Sequence, residues 1–463
     1  MANILFGMLD AAKTALLVQQ QAVDVTGNNI SNVNTKGYSR QRLNMEQNQP
    51  VRYNGGTMGT GVVAKRKIQR MHDDFLGAQI NNGESALGRW KAQKESLKKV
   101  ELMFDESSGY GLSHSMNKFW NAWQKVANAP EGYTERVSLI SNAQNMADSF
   151  NKLYRDVEKV LKDTDVGIIG HVDRINAITE KIAALNGKII ETEVSGYSAN
   201  EFRDERDLLM KELSSMTEVE SFEDADGYLT VSMTNGKPLV DRLSSWTLTT
   251  NTNASGYQDV YWVDSKGTQT NITSDIEGGE LKGWIQARDV IIPDYLSRLN
   301  AVAQEIITEV NTIHTAGYAL DGSQNSFFTG SDAHDIAVNS AIVANPKLIA
   351  ASSTSAGLPG DNTVAVNIIA LQNSLLMGGG SSTIDSYYQS LVSDVGSNVS
   401  YAESNHNHQK LTSASLDAYH EAIAGVNLDE EMVNLVKFQN AYNAASKVVT
   451  TVDGMLEALI AMV

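Results

Sequence analysis

The sequence predicts a mainly α-helical protein with an inserted β domain, in a nested layout of several domains. Apolar residues recur in steps of three and four along both ends and much of the middle, as they do on one face of a helix. Only 6 prolines occur among 463 residues, which leaves room for long helices because a proline costs about 3 kcal/mol inside one. Short β-branched and aromatic runs, separated by turn dipeptides, fill residues 217–286.

The N-terminal segment predicts an amphipathic helix with an interrupted apolar seam. Gln19 and Thr26 interrupt the seam. The helix is expected to stop in residues 28–37, where asparagine and serine side chains compete for backbone hydrogen bonds and a glycine follows. The residues of this seam are Leu5, Leu9, Ala12, Leu16, Val23 and Ile30.

The middle of the chain predicts further helices on both sides of the β domain. Helical apolar stripes cover residues 86–104, 116–123, 150–161, 168–189 and 292–313. Within residues 217–286, the dipeptides Asp226-Gly227, Asn235-Gly236 and Lys266-Gly267 predict tight turns between antiparallel strands. Residues 317–362 are rich in Gly, Ser, Asn and Asp and predict irregular structure, after which helices resume at residues 364–415.

The C-terminal segment carries the most regular pattern. Its apolar residues follow a heptad seam over about five heptads, and only Glu431 breaks the series. Asn427 is the expected N-cap, with Glu430 as its capping-box partner. The residues of this seam are Leu428, Leu435, Phe438, Tyr442, Ala445, Val449, Val452, Leu456, Leu459 and Val463.

The two terminal helices are expected to pair as a coiled coil, because a helix with a one-sided apolar stripe gains most of its stability from packing. The pair could dock on the core of its own chain. The strict spacing and the terminal placement favour packing against copies in neighbouring subunits. If the two ends of the chain form one domain, the other domains must be nested between them. The expected domains are a terminal coiled-coil assembly domain (1–45 and 420–463), a helix-rich middle domain (46–216 and 287–419) and a small antiparallel β domain (217–286).

Composition argues against several classes of protein. The net charge of −18 disfavours binding to nucleic acid or to an anionic membrane surface. The absence of cysteine excludes disulfides, cysteine-ligated zinc and thiol catalysis. The first residues lack the pattern of a cleaved signal peptide, and no apolar run approaches the length of a membrane span.

Three motifs that could carry chemistry are better explained structurally. His406 and His408 do not share a helix face, which disfavours a metal site. The glycines of residues 56–61 match neither nucleotide-binding pattern. Residues 224–227 begin like a calcium loop but lack its remaining ligands, so a β-turn is expected. We therefore expect no catalytic residue, no cofactor and no metal, although 55 acidic residues leave a glycan-hydrolysing pair of carboxylates possible in principle.

The asparagine-rich segment resembles the signature of the flagellar axial proteins, the family of rod, hook and hook-associated proteins. The continuation Ser39-Arg40-Gln41, the run Gly59-Thr60-Gly61-Val62 with Arg70 and Asp73-Asp74-Phe75-Leu76, and residues 425–456 are most similar to the hook-associated members. The signature residues are Asn28, Asn29, Asn32, Thr35, Gly37, Tyr38, Arg40 and Gln41.

The resemblance implies a structural subunit that forms the junction between hook and filament. The terminal helices would line the inside of a helical tube, and the β domain would project outward. The implied partners are the chain itself, the hook protein, the second hook-associated protein and an export chaperone on the C-terminal helix. Export would use the flagellum's own type III apparatus, which makes the protein extracellular without a cleaved signal. The alternatives are another axial protein, such as the second junction protein or the hook, and a secreted adhesin that uses its β domain.

Overall fold

Long helices at both ends and through the middle make up most of the molecule. The structure is a computed structural model that describes residues 2–48, 51–53, 56–58, 61–106, 109 and 111–461. Its α-helices within these ranges are α1 (Ala2–Ser31), α2 (Asp74–Glu101), α3 (Leu112–Asn128), α4 (Tyr133–Val194), α5 (Asn200–Met216), α6 (Gly279–Gln286), α7 (Ile292–Ala316), α8 (Ser340–Ala344), α9 (Thr363–Ala370), α10 (Ile384–Ala424) and α11 (Leu428–Ala461). The predicted class, mainly α with an inserted β domain, is confirmed.

The strands are short and antiparallel wherever they pair. They are β1 (Gln41–Gln47), β2 (Val51–Tyr53), β3 (Gly56–Met58), β4 (Val62–Arg70), β5 (Val219–Glu223), β6 (Leu229–Met233), β7 (Pro238–Asp241), β8 (Ser244–Ser245), β9 (Thr247–Thr252), β10 (Gln258–Val263), β11 (Gln269–Asn271), β12 (Tyr318–Ala319), β13 (Phe328–Thr329), β14 (Ala337–Val338) and β15 (Ala350–Ser352). Those in residues 317–362 are two or three residues long, which agrees with the irregular structure expected there.

Helices α1 and α11 lie antiparallel, and we call them the terminal pair. Asn29, near the end of α1, donates a hydrogen bond to Glu431, near the start of α11. Further along α11, Phe438 packs against a cluster that α1 and β1 build from Val18, Ala22 and Leu43. Strand β1 pairs with β4, and this hairpin covers a second side of α1.

Elements α2 to α10 and β5 to β15 form the body, which has two apolar cores. The first core joins α3, the first half of α4, α7, α9 and α10 around the buried rings of Phe119, Trp123 and Phe150. The second core joins the second half of α4 to α5, α6 and strands of the β domain, with Ile175 and Val231 fully buried. The 62-residue helix α4 runs through both. Among the described residues, neither core includes a side chain of α1 or α11.

The β domain consists of two sheets that share their core with α4. One sheet has the order β5-β6-β7-β8 and the other the order β11-β10-β9. Gly227, Gly236 and Gly267 have φ values of +94°, +77° and +82°, so the three predicted turn dipeptides do place a glycine in the left-handed region. Because its apolar face closes on α4, the β domain depends on that helix for its core.

Three of the four expected domain boundaries fall inside continuous elements, whereas the boundary at residues 216 and 217 falls at the end of α5. Residue 45 lies within β1, residue 286 ends α6 just before a π-helical segment that leads into α7, and residue 419 lies within α10. The physical reason is that apolar periodicity identifies a helix or strand but not the point at which the chain passes from one core to another.

Candidate functional site

The signature segment folds into a buried polar network at the base of the terminal pair. Asn29, which is 1% exposed, donates from Nδ2 to the backbone oxygen of Gln41 and to Oε2 of Glu431, each at 2.9 Å. Its Oδ1 accepts the Tyr38 hydroxyl and the Gln41 amide, both at 2.9 Å. One asparagine side chain thus joins α1, β1 and α11. We call Asn29, Tyr38, Arg40, Gln41 and Glu431 the polar node.

Arg40 forms ion pairs with two glutamates in the first turn of α11. Its Nη2 lies 2.6 Å from Oε1 of Glu431, and its Nη1 lies 2.8 Å from Oε2 of Glu430. Asn427 caps the helix as expected, since its Oδ1 accepts the amides of residues 429 and 430. Glu430, the expected capping-box partner of Asn427, pairs with Arg40 instead.

The segment after α1 also binds α5. Gly37 has a φ of +80°, and a Cβ placed there would lie 2.5 Å from Cδ1 of Leu208, so this position requires glycine. The Ser39 amide donates to Oδ2 of Asp204 at 3.0 Å, and Nη1 of Arg70 lies 3.0 Å from Oδ1. Burial raises the pKa of the Asp204 carboxyl, against the opposing effect of the hydrogen bonds from Ser39 and Arg70.

Burial also raises the pKa of the Tyr38 hydroxyl, and three carboxylates contribute in the same direction: Glu201, Asp204 and Glu431. The Tyr38 hydroxyl therefore stays neutral and donates a hydrogen bond to Oδ1 of Asn29.

The other signature residues shape the end of α1. Asn32 donates to the backbone oxygen and to Oδ1 of Asn28, at 3.0 and 2.8 Å. Thr35 donates to Oδ1 of Asn32 at 3.1 Å. These local bonds stop the helix, as the competition of asparagine side chains for backbone groups predicts.

The predicted N-terminal seam lies on or beside the buried stripe of α1. Leu5 and Ala12 are buried, whereas Leu9, Leu16, Val23 and Ile30 are half-buried. In the second half of the helix the buried stripe lies one position before the predicted seam, because a straight helix repeats at 3.6 residues and the seam at 3.5. The buried stripe is also wider than the seam, because the hairpin covers a second side of α1. Its residues there are Val18, Ala22, Val25, Thr26 and Asn29.

The predicted C-terminal seam mostly faces α1. Val452 is buried, and six members are half-buried: Leu435, Phe438, Ala445, Val449, Leu456 and Leu459. Leu428 and Tyr442 are 46% and 39% exposed, and Val463 lies outside the described residues. Glu431, the expected break, is 2% exposed and occupies a core position. A lone charge in an otherwise apolar seam was the signal in the sequence that could have identified it.

Away from their packed seam, the two helices of the terminal pair expose further apolar side chains on more than one side. On α11 the exposed side chains are Leu428, Met432, Val433, Val436, Tyr442, Val448, Met455 and Ile460, and on α1 they are Phe6, Met8 and Leu17. We call these residues the outer face. Eight such side chains on one helix make α11 a candidate for association with another surface.

The positions considered for other chemistry carry structural contacts. Nδ1 of His406 lies 3.2 Å from Nζ of Lys94, a cation that opposes metal binding. Oδ1 of Asp224 accepts the amides of residues 226 and 228, which makes this segment a turn. Within the described ranges no group of three or more His, Cys, Asp or Glu is arranged to hold a metal. No helix among those described is long and apolar enough to cross a membrane.

Comparison with known proteins places three family models along the chain. The model described as "Flagellar hook-associated protein FlgK helical domain" matches residues 97–328, which is half of the chain. The model "Flagella basal body rod protein" matches residues 9–38. The model "Flagellar basal body rod FlgEFG protein C-terminal" matches residues 422–462.

Relatives and a solved structure agree with these matches. Flagellar hook-associated protein 1 of Bacillus subtilis is 26% identical over 98% of this chain and 97% of its own length. The protein of the same name from Escherichia coli is 25% identical over 98% of this chain and 99% of its own length. The structure of the flagellar hook junction protein FlgK from Burkholderia pseudomallei has the same fold, with a TM-score of 0.66 and 15% identity over 75% of this chain and 100% of that one.

A paired set of terminal helices, a nested helical body and matches to axial models at both ends define a structural protein of the bacterial flagellum. The chain belongs to the family of the flagellar hook-associated protein FlgK helical domain. It is a structural component of the hook–filament junction, in the exported axial structure that the flagellum carries outside the cell. This confirms the function predicted from the signature and the C-terminal segment.

Proposed function

We propose that the chain takes its place at the hook–filament junction by self-assembly through the outer face of its terminal pair. The observation that supports this proposal is the run of exposed apolar side chains on α11, which α1 leaves uncovered. Val433 is 68% and Ile460 is 75% exposed. Burying such side chains contributes about 25 cal/mol per Å² of apolar surface, and neighbouring copies in a tube would supply the missing cover.

The separation of the terminal pair from the body supports assembly by the ends alone. Both cores of the body are complete without α1 and α11 among the described residues. The terminal pair can therefore pack against other subunits without any loss of apolar contact inside the body. In the assembled tube, α1 and α11 line the inside and the body lies outside them.

The proposed neighbours are further copies of the chain, the hook protein and the second hook-associated protein. Before assembly, the outer face of α11 is an aggregation liability. An export chaperone that covers this helix in the cytoplasm removes that liability, and export proceeds through the flagellum's own type III apparatus without a cleaved signal.

Removal of residues 428–463 tests the proposal. The truncated chain should keep a cooperative thermal transition, because the body retains its cores, but it should no longer sediment with isolated hooks. A truncated chain without a thermal transition, or one that still binds hooks as the full chain does, would contradict the proposal.

A matched pair of substitutions separates the outer face from general surface effects. Val433 on α11 and Val166 on α4 are 68% and 66% exposed, so replacing either one by asparagine alters a similarly accessible valine. We expect V433N to reduce hook binding at least about tenfold, since about 1.4 kcal/mol is a factor of ten in affinity, and V166N to leave it unchanged. Equal effects of the two substitutions would remove the special role of the outer face.

The position of the labelled protein separates the remaining alternatives. Label confined to a thin zone where the hook meets the filament supports the proposal. Label along the whole hook would indicate another axial role. Cells that swim normally without the protein would favour the adhesin.

A further inference from the structure

Helix α5 has a polar face on which the terminal pair and its hairpin meet the body. The contacting residues recur at helical spacing, so they share one side of the helix. At its centre, Asp204 accepts the Ser39 amide and pairs with Arg70 of β4, each at 3.0 Å. The residues of this face are Asn200, Glu201, Asp204, Asp207 and Leu208. We call this face, with residues 37–41 and 68–70 docked on it, the joint.

Further bonds at the joint connect the same two partners. Nε2 of Gln41 lies 3.3 Å from Oε1 of Glu201, and Nδ2 of Asn200 donates to the backbone oxygen of Ile68 at 3.2 Å. Arg70 also reaches Oδ2 of Asp207, at 2.6 Å. Hydrogen bonds and ion pairs thus connect α5 to the hairpin at several points.

Apolar packing lies on either side of the joint but does not cross it. The opposite face of α5 buries Met210, Leu213 and Met216 in the second core of the body. The terminal pair and its hairpin bury a separate cluster around Val18 and Ala22. Among the described residues the two clusters stay apart, so no shared apolar core fixes how the terminal pair sits on the body. Polar bonds connect the two instead: those of the joint, and one from the Arg40 amide to the backbone oxygen of Ala424 in α10 at 2.7 Å.

We infer that the polar face of α5, with Asp204 as its centre, sets the orientation of the terminal pair relative to the body. Asp204 is 6% exposed, and its carboxylate binds the Ser39 amide of the segment after α1 and the Arg70 guanidinium of β4. Any orientation that withdraws Ser39 or Arg70 leaves a buried carboxylate with unmet hydrogen-bonding capacity, which is strongly unfavourable. Asp204 is thus a positioning residue.

The surroundings of the joint give the terminal pair room to move once these bonds are lost. A cavity of about 730 Å³ borders it, lined in part by Gly37, Tyr38, Arg70, Asp204 and Leu208. That this orientation decides where the body lies around a tube rests on the proposed function, whereas the orientation itself is a property of the single chain.

Electron–electron distance measurements on the free full-length chain test the inference. The chain has no cysteine, so spin labels can be attached at A458C on α11 and A177C on α4, both exposed sites. The unsubstituted joint should give one narrow distance distribution. D204L should at least double its width, while circular dichroism and a label pair within the body remain unchanged. D204N keeps an acceptor for Ser39 and should broaden the distribution less.

Glu212 provides a control for position on the helix, because it is an acidic residue of α5 that pairs with Arg174 of α4 away from the joint and is 38% exposed. E212Q should leave the distribution narrow. An unchanged width in D204L, an equal broadening in E212Q, or a wild-type distribution already as broad as that of D204L would each overturn the inference. The distance measurement needs no hook and no polymer. It can therefore contradict the role of the joint while the proposed assembly holds, and it can support that role while the proposed assembly fails.

Discussion

Arg40 binds two glutamates of α11 that differ sharply in burial, and this difference sets the expected effect of removing the arginine. The side chain of Glu430 is 59% exposed and that of Glu431 only 3%. An exposed ion pair contributes about 0–1 kcal/mol, whereas breaking a buried pair costs about 3–5 kcal/mol. Because the Arg40 side chain is itself 25% exposed, we expect R40A to destabilise the start of α11 by about 3 kcal/mol, at the lower end of that range.

A second substitution should partly restore what R40A removes. In R40A the Glu431 carboxylate stays buried, with the Asn29 amide 2.9 Å away as its remaining described partner. Replacing Glu431 by leucine eliminates this buried charge and fits the apolar seam, although it also removes the hydrogen bond from Asn29. The double variant R40A/E431L should therefore be more stable at this helix start than R40A alone, by about 1–2 kcal/mol.

Hydrogen exchange at the backbone amides of residues 428–440 measures this local stability. R40A should exchange roughly a hundredfold faster than the wild type, since each 1.4 kcal/mol is a factor of ten. E430A, which removes only the exposed glutamate, should change exchange by less than about fivefold. The reasoning would be refuted if R40A/E431L exchanged as fast as R40A, or if E430A matched R40A.

Two further predictions concern the body and the signature. Burial, with a smaller effect of Arg136, lowers the pKa of His314 from 6.5 to about 4. As the pH falls below 6.5, the unfolded chain therefore binds a proton at this histidine, whereas the folded chain does so only near pH 4. This difference in proton binding should lower the free energy of unfolding by about 2 kcal/mol as the pH falls from 7.5 to 5. Denaturant titrations of H314Q should lack that decrease. An equal pH dependence in the wild type and in H314Q would contradict the prediction. G37A forces a side chain into the left-handed region and against Leu208, so it should weaken the signature segment by about 2–4 kcal/mol, measured by hydrogen exchange in β1; unchanged exchange would contradict the close contact.

The terminal helices and the fold class were predictable from the sequence because helical periodicity is a local property, whereas α4, which was expected as two stripes at residues 150–161 and 168–189, is one helix of 62 residues. The steps of three and four predicted α1 and α11, and the asparagine-rich segment predicted where α1 ends. The turn glycines of the β domain followed from local backbone geometry in the same way. The signature residues pointed to the family without any knowledge of their contacts.

The contacts of the polar node and of the joint could not be predicted in this way. Asn29 and Glu431 are 402 residues apart in the chain, and Ser39 and Asp204 are 165 apart. In the sequence Glu431 was only an interruption of the seam, and Asp204 was one of 55 acidic residues. Their burial and their partners depend on which segments the fold brings together.

The sequence by itself determined that both ends form long amphipathic helices, because the pattern that makes a helix amphipathic is written in neighbouring turns. The tertiary structure decided that these helices lie antiparallel, which side of α1 is covered by the hairpin, and that a polar face of α5 holds the terminal pair to the body. The reason is that a hydrogen-bonded network between distant segments exists only once each polar group has a partner in space, and no local pattern encodes that partner.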